Sequence, residues 1–133
     1  MGQPLILETT FLVDLERELA RGEEGPAQRF LEDSPDAGLC ITFTIAGEVA
    51  AGTSLRQRVA WQRFVSPFRI LGWTLEVSWR YGQLYRYLSD QGLLIGTNDL
   101  WIAATALAHC VPLVTANDRH FGRVPDLDVR TYR

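Results

Sequence analysis

The chain has 133 residues, 47% of them hydrophobic and 22% charged, a composition that fits one globular domain over residues 1–133 and excludes a disordered chain. Its formal charge of −3 excludes a surface that binds polyanions over its whole extent, because such binding needs many cationic contacts to phosphate. All thirteen basic residues are arginine, so chemistry that requires lysine, such as a Schiff base or a P-loop, is excluded as well.

The first half of the chain alternates short apolar runs with segments of helical periodicity. Residues 5–7 predict a strand that ends at Glu8 and is followed by a helix. Residues 39–43 predict a second strand, followed by a helix that Thr44 caps and that carries Glu48.

The second half continues this alternation. Residues 55–65 predict a helix, residues 68–71 a third strand, and Thr74 the start of a long helix. Asn98 is expected to cap the next helix, and Asp99 then lies in its first turn, where the helix dipole favours negative charge.

Two further short strands complete the predicted set, at residues 112–115 and residues 128–131. Short apolar strands separated by helices favour parallel pairing, with helices covering both faces of the sheet. The predicted fold class is therefore α/β, with three layers.

Several polar side chains are expected to meet at one edge of this sheet, because ligands of open parallel sheets bind at the carboxyl ends of the strands. Glu8 ends the first strand there, Glu48 lies on a helix that starts after the second, and Asp99 opens a helix packed on the sheet. Asn117 and Asp118 follow the fourth strand. Clustered carboxylates repel one another unless a cation or a shared proton neutralises them, so a hard divalent ion, Mg²⁺ or Mn²⁺, is the natural partner.

Structural explanations exist for the same residues. Asp99 alone is explained as a carboxylate that stabilises a helix start, and Glu48 as an exposed helix residue. The apolar neighbours of Glu48 favour a functional role, since a solvated face normally carries more polar residues. Acid–base catalysis by His120 without a metal ion needs a second histidine placed to act as the acid, and the sequence places none there.

Three segments carry a resemblance to a known family: LILETTFLVD at residues 5–14, TFTIAGEVAAG at residues 42–52 and IGTNDLWIAATALAHCVPLVTANDRHF at residues 95–121. In order and spacing they resemble the PIN-domain ribonucleases, specifically the VapC-type toxins of type II toxin-antitoxin pairs. The resemblance implies a PIN-like α/β/α fold with a mostly parallel five-stranded sheet. It also implies a Mg²⁺- or Mn²⁺-dependent endoribonuclease acting on structured RNA such as tRNA or rRNA, a cognate antitoxin protein as partner, and a homodimer.

The resemblance assigns roles to individual residues. Its three acidic metal-binding positions correspond to Glu8, Glu48 and Asp99. Its fourth polar catalytic position falls on Asn117, with Asp118 beside it. The remaining matched positions are polar side chains around this group: the site-lining Thr9 and Thr115, and the RNA-binding pair Arg119 and His120.

Glu8 departs from the family pattern, which has aspartate at this position. The extra methylene moves the carboxylate by about a bond length, while a productive site tolerates a displacement of only about 0.5 Å. Two functions therefore stay open: an endoribonuclease that uses metal-activated water and is attenuated by Glu8, or a catalytically weakened PIN-like module that acts mainly by binding an antitoxin or RNA.

Two other α/β folds that gather acids at strand ends are excluded. A receiver domain needs a lysine after its last strand, and this chain has none. A haloacid-dehalogenase-like phosphatase needs a second aspartate two residues after the first acid, where this chain has Thr10.

The remaining expectations concern location and surface. The first residues show neither a signal peptide nor a membrane-spanning run, so a cytoplasmic protein without membrane association is expected. Cys40 and Cys110 lack metal-ligand spacing and are predicted to be buried free thiols. Candidate arginines for RNA specificity are Arg56, Arg58 and Arg63.

Overall fold

A central parallel sheet organises the protein. The computed structural model describes residues 2–133 and contains five strands in the spatial order β3-β2-β1-β4-β5. These strands are β1 (Pro4–Leu7), β2 (Gly38–Thr42), β3 (Arg69–Leu71), β4 (Leu113–Val114) and β5 (Val129–Arg130). All four pairings are parallel, and Ile6 of β1 pairs with Cys40 on one side and Leu113 on the other. The strand order therefore reverses between β1 and β4, where ligands bind in open α/β sheets.

Helices follow the strands and cover the sheet. They are α1 (Thr9–Arg21), α2 (Pro26–Asp33), α3 (Phe43–Ala51), α4 (Arg58–Val65), α5 (Leu75–Asp90), α6 (Thr97–His109) and α7 (Asp118–Phe121), with a 3₁₀ turn at Thr53–Leu55 before α4. The predicted three-layer α/β/α class with a five-stranded parallel sheet is confirmed. No helix within residues 2–133 has both the length and the hydropathy needed to cross a membrane.

The core lies on both sides of β1 and β4. Ile6 and Leu7 of β1 are fully buried, and so are Leu113 and Val114 of β4. Helix α6 is buried along much of its length, because its run of alanines allows close approach to the sheet and to its neighbours. The first turn of α6 is thereby held at a fixed position over the edge where β1 and β4 end.

Some predicted helix starts are wrong. Thr42, the last residue of β2, caps α3 by accepting a hydrogen bond from the Ile45 N–H at 3.1 Å, while Thr44 lies inside the helix. Gly96 precedes α6, which already includes Asn98. In both places a residue with extended backbone leads directly into the helix, and the cap lies two residues earlier than predicted.

The two thiols differ in exposure. Cys40 is buried in β2, as predicted, and both cysteines are free. Cys110 is exposed, contrary to prediction, because it ends α6 in the left-handed conformation with φ of 56°. A residue that terminates a helix in this way points away from the packed face of that helix.

Glu18 of α1 holds the start of α2. Its carboxylate accepts hydrogen bonds from the backbone N–H groups of Gly25, Ala27 and Gln28 at 2.9, 2.9 and 3.0 Å. Gly25 has no side chain to cap the helix, so Glu18 satisfies donors that the first turn leaves free. Burial raises the pKa of Glu18, but these hydrogen bonds outweigh it, and the pKa lies below its ordinary value.

Replacing Glu18 by glutamine keeps its size and removes its charge, and it is expected to lower the free energy of unfolding by about 1–2 kcal/mol at neutral pH. Because the native pKa lies below the unfolded one, the contribution of Glu18 is complete above the unfolded pKa and disappears as pH falls through the native pKa. Urea unfolding at neutral pH and near pH 3 measures both effects. The control is Glu23→Gln at a nearby exposed position; an equal loss in that variant contradicts this role of Glu18.

Candidate active site

Glu8 lies at the junction of β1 and α1 and is only 4% exposed. Its backbone N–H donates to the Val114 carbonyl at 2.9 Å, which fixes the end of β1 against β4. Its side chain folds back over the start of α1 and accepts a hydrogen bond from the Thr10 N–H at 3.3 Å. Glu8 therefore caps α1 while its carboxylate occupies the crevice where the strand order reverses.

Two threonine hydroxyls satisfy this buried carboxylate. Thr115 donates to Glu8 Oε1 at 2.5 Å and Thr10 donates to the same oxygen at 2.9 Å. Each hydroxyl also accepts a backbone hydrogen bond, Thr10 from Ala116 at 3.0 Å and Thr115 from Asn117 at 2.9 Å. The carboxyl ends of β1 and β4 are thus joined through side chains as well as through the sheet.

Glu48 reaches the same region from α3 and is half-buried. Its Oε1 accepts a hydrogen bond from the Thr9 hydroxyl at 2.6 Å, and its Oε2 accepts one from Asn98 Nδ2 at 3.4 Å. Asn98, predicted to cap α6, instead uses its side chain to link α6 to Glu48. The carboxylate of Glu48 therefore joins three helices at this edge of the sheet.

Asp99 completes the acidic group from the first turn of α6, with 23% of its side chain exposed. Burial raises the pKa of Asp99, and the negative charges of Glu8 and Glu48 raise it further, while His120 lowers it. The two glutamates act on Asp99 because all three carboxylates share one pocket. Carboxylates that lie close together repel one another unless a cation neutralises them, so this arrangement favours binding of a cation.

The residues after β4 border this pocket. His120 Nδ1 lies 3.8 Å from Asp99 Oδ2 and 3.2 Å from Asn117 Nδ2. Asp118 and Arg119, at the start of α7, are exposed, and within residues 2–133 neither forms a hydrogen bond or ion pair with the three central acids. The structure thus brings Asn117 and His120 to the site and leaves the other two at its rim.

The donor set fits a hard divalent ion held partly through water. Among residues 2–133, no three His, Cys, Asp or Glu side chains are arranged to hold a metal ion directly. Both glutamates already accept hydrogen bonds from threonines, whereas Asp99 Oδ2 lies 3.8 Å from His120 Nδ1, beyond hydrogen-bond distance. Mg²⁺ prefers oxygen ligands and usually keeps several waters beside one or two carboxylates. The residues present match that mode of binding, with Asp99 as the carboxylate that is least engaged by the protein.

Sequence reasoning missed a support for the site near the end of the chain. The Tyr132 hydroxyl donates to Asp14 Oδ2 at 2.6 Å, and its ring packs edge-on against Phe11 with centroids 4.7 Å apart. Burial and Asp14 raise the pKa of Tyr132, while the nearby Thr10 hydroxyl lowers it. Tyr132 therefore lies near Thr10, which donates a hydrogen bond to Glu8. Thr10 could have been found from the sequence, because it lies two residues after Glu8 at the start of a helix, but no local pattern marks Tyr132.

Comparison with known proteins places the chain in a family. Residues 5–127 match the PIN domain family model. Ribonuclease VapC1 from Rickettsia felis is 30% identical over 131 residues, which cover 96% of this chain and 95% of that protein. Ribonuclease VapC2 from the same organism is 41% identical over 64 residues. This alignment covers 48% of the chain and 48% of that relative, about half the length of each.

Solved structures show the same fold. The crystal structure of VapBC2 from Rickettsia felis bound to a DNA fragment from its promoter matches with a TM-score of 0.82 and 25% identity, covering 98% of this chain and 100% of that chain. The structure of VapBC-1 from nontypeable Haemophilus influenzae matches with a TM-score of 0.80 and 25% identity, covering 98% of each chain.

The charge repulsion at Asp99 has a measurable consequence for stability. A carboxyl group whose native pKa lies above its unfolded value weakens the fold as pH rises through that range. Asp99→Asn removes this effect, so in chelator at neutral pH its Tm is expected to exceed that of the wild type by a few degrees. Thermal unfolding from about pH 4 to about pH 7 measures the difference. Asp118→Asn, at the exposed rim, should show little change; a lower Tm for Asp99→Asn than for the wild type contradicts the shared pocket.

Proposed function

The chain belongs to the PIN domain family, in its VapC branch, and on that premise we propose that it is a Mg²⁺- or Mn²⁺-dependent endoribonuclease toxin that hydrolyses phosphodiester bonds in structured RNA, tRNA or rRNA. The observation that carries the proposal is the shared pocket of Glu8, Glu48 and Asp99 at the point where the strand order reverses. An acidic pocket of this kind repels an RNA phosphate unless a cation is bound, so its catalytic use requires a metal ion.

The side chains of the pocket have separate tasks in this reaction. A bound divalent ion supplies the charge that stabilises the phosphoryl transition state and lowers the pKa of water. Asp99 and Glu48 hold that ion, directly or through water, and Glu8 contributes its charge from the buried end of β1. Asn117 orients the attacking water, Thr115 holds the Glu8 carboxylate in place, and His120 with Arg119 contacts the RNA backbone at the rim. Asp118, next to Asn117, adds negative charge near the water.

Partners follow from the same premise. Solved relatives from Rickettsia felis and Haemophilus influenzae are described as VapBC assemblies, and we propose that this toxin is likewise held by a cognate antitoxin protein in the cytoplasm. We also propose a homodimer. Exposed apolar side chains support this part of the proposal, because a second copy would cover them; they are Ile70, Trp73, Leu75 and Trp79.

A second function is favoured by the state of Glu8. Its Oε1 is already engaged by two threonines, and the residue is almost wholly buried. A glutamate used in this way caps a helix without needing a metal ion. The chain could then be a catalytically weakened module that acts through antitoxin or RNA binding, and the two functions differ in whether the chain cleaves RNA at all.

Cleavage of total tRNA and rRNA tests the choice between them. We expect fragments with Mg²⁺ or Mn²⁺ and none with chelator, and a loss of rate of about a hundredfold or more in Asp99→Asn and Glu48→Gln. Glu76→Gln on the exposed surface of α5 is the matched control. A rise in Tm on adding Mn²⁺, absent in Asp99→Asn, reports binding of the ion independently of activity. Cleavage that persists in chelator would falsify the metal role, and absence of cleavage leaves only the binding module.

Shortening Glu8 tests the reason for attenuation. We expect Glu8→Asp to raise the cleavage rate by about tenfold, because a misplacement of about 1 Å in a catalytic group costs up to about a hundredfold. The rate is compared at saturating Mg²⁺, with Tm as the control, since the shorter side chain also weakens the hydrogen bonds to Thr10 and Thr115. An unchanged or lower rate in a folded Glu8→Asp variant means that the glutamate is adapted to this site.

A further inference from the structure

Positive charge is concentrated in one part of the chain. Residues 49–75 contain no acidic residue, although the whole chain has a formal charge of −3. The basic residues of this segment are Arg56, Arg58, Arg63 and Arg69. The segment includes the 3₁₀ turn, α4 and β3, so the first three arginines lie on one short stretch of structure.

These three arginines have no structural task that explains them. Arg56, Arg58 and Arg63 are exposed, and within residues 2–133 none of them forms an ion pair. Arg58 is the first residue of α4, where the helix dipole disfavours a cation. By contrast, Arg29 on α2 lies near Glu32, whose pKa is raised chiefly by a hydrogen bond with Glu24 and by the charge of Glu24, and Arg29 opposes this rise. The charge of the 56–63 segment is therefore free to act on a ligand.

The same segment borders the acidic pocket. A groove beside Glu48 is lined in part by Leu55 and Phe64, which lie at the start and near the end of this stretch. Arg56 directly follows Leu55, and Arg63 directly precedes Phe64. The stretch of chain that carries the arginines thus borders a groove that has Glu48 and Glu16 in its wall.

Two hydrogen bonds hold this stretch in place. The Trp61 indole Nε1 donates to the Ala46 carbonyl at 3.0 Å and fixes α4 on α3. The Ser54 hydroxyl donates to Glu16 Oε1 at 2.7 Å and fixes the 3₁₀ turn on α1. Because α3 also carries Glu48, the backbone of the stretch that carries the arginines is held at a fixed position relative to the pocket.

We propose that Arg56, Arg58 and Arg63 form a phosphate-binding track that holds RNA next to the pocket. This inference rests on the proposed ribonuclease function, since it deepens how that site binds its substrate. The pocket itself repels RNA, and a single divalent ion offsets this only locally, so affinity must come from nearby cations. Guanidinium groups suit this task because their planar array of donors matches a phosphate in two-point hydrogen bonding. RNA is favoured over an acidic peptide because phosphates are the groups that must enter the neighbouring pocket.

The test compares two triple variants of the whole chain, both with Asp99→Asn so that bound RNA stays intact. Each variant exchanges three exposed arginines for glutamine: Arg56, Arg58 and Arg63 in the test variant, and Arg21, Arg29 and Arg86 in the control. Binding of a short fluorescein-labelled single-stranded RNA is followed by anisotropy over a range of salt concentrations. The test variant should bind about tenfold or more weakly near 0.1 M salt, and its slope of log K against log salt should be shallower by about 2. The control should lose much less.

A third variant with lysine at positions 56, 58 and 63 keeps the charge and should keep the salt slope, while Tm shows that each variant is folded. Cleavage is also measured with the same arginine variants in a chain that keeps Asp99, which distinguishes failure of the proposed function from failure of the track. If the unsubstituted chain neither binds nor cleaves RNA, the proposed function fails and the track fails with it. If it cleaves RNA and the test variant does so equally well, or if both triple variants lose binding equally, the track is wrong while the function stands. If the test variant loses binding of a polyglutamate peptide but keeps binding of RNA, the three arginines bind an acidic peptide and not RNA.

Discussion

The buried carboxylate of Glu8 sets the main constraint on this structure. A charge that is 4% exposed is strongly unfavourable unless hydrogen-bond donors surround it. Here the donors come from two places in the chain, Thr10 at the start of α1 and Thr115 after β4. Both must be in position for Glu8 to be tolerated, so satisfying this one group fixes α1, β1 and β4 relative to one another. Glu48 and Asp99 then meet Glu8 because α3 and α6 pack against the same sheet.

Function and stability oppose each other in this pocket. Thr9, Asn98 and the threonines around Glu8 offset part of the charge, but the pKa of Asp99 stays raised because it is buried and because its neighbours are acidic. A structure selected for stability alone would not keep three carboxylates together. The apolar packing of α6 and of the central strands provides the stability that allows this arrangement. The PIN domain therefore holds an unfavourable group of charges in a rigid frame.

The fold class and the proximity of the three central acids could be predicted from the sequence, because apolar runs alternate with helical periodicity, Glu8 follows a strand and Asp99 lies at the start of a helix. Glu48, inside α3, was marked instead by its apolar neighbours. Helix caps were less predictable. Thr42 rather than Thr44 caps α3, since the strand leads straight into the helix, and Asn98 binds Glu48 through a contact 50 residues away in sequence. The exposure of Cys110 depends on a left-handed backbone that no periodicity reveals. The link from Tyr132 to Asp14 joins residues 118 apart, and only the assembled fold brings them together.

The bond between Glu8 and Thr115 spans 107 residues, and β1 also needs β4 as its neighbour. During synthesis on the ribosome, the amino-terminal part of the chain emerges long before the threonine that it requires. Contacts so distant along the chain close late and slow the folding of a domain. The nascent polypeptide therefore cannot assemble its acidic centre until most of it has been translated, so this site forms only at a late stage of synthesis.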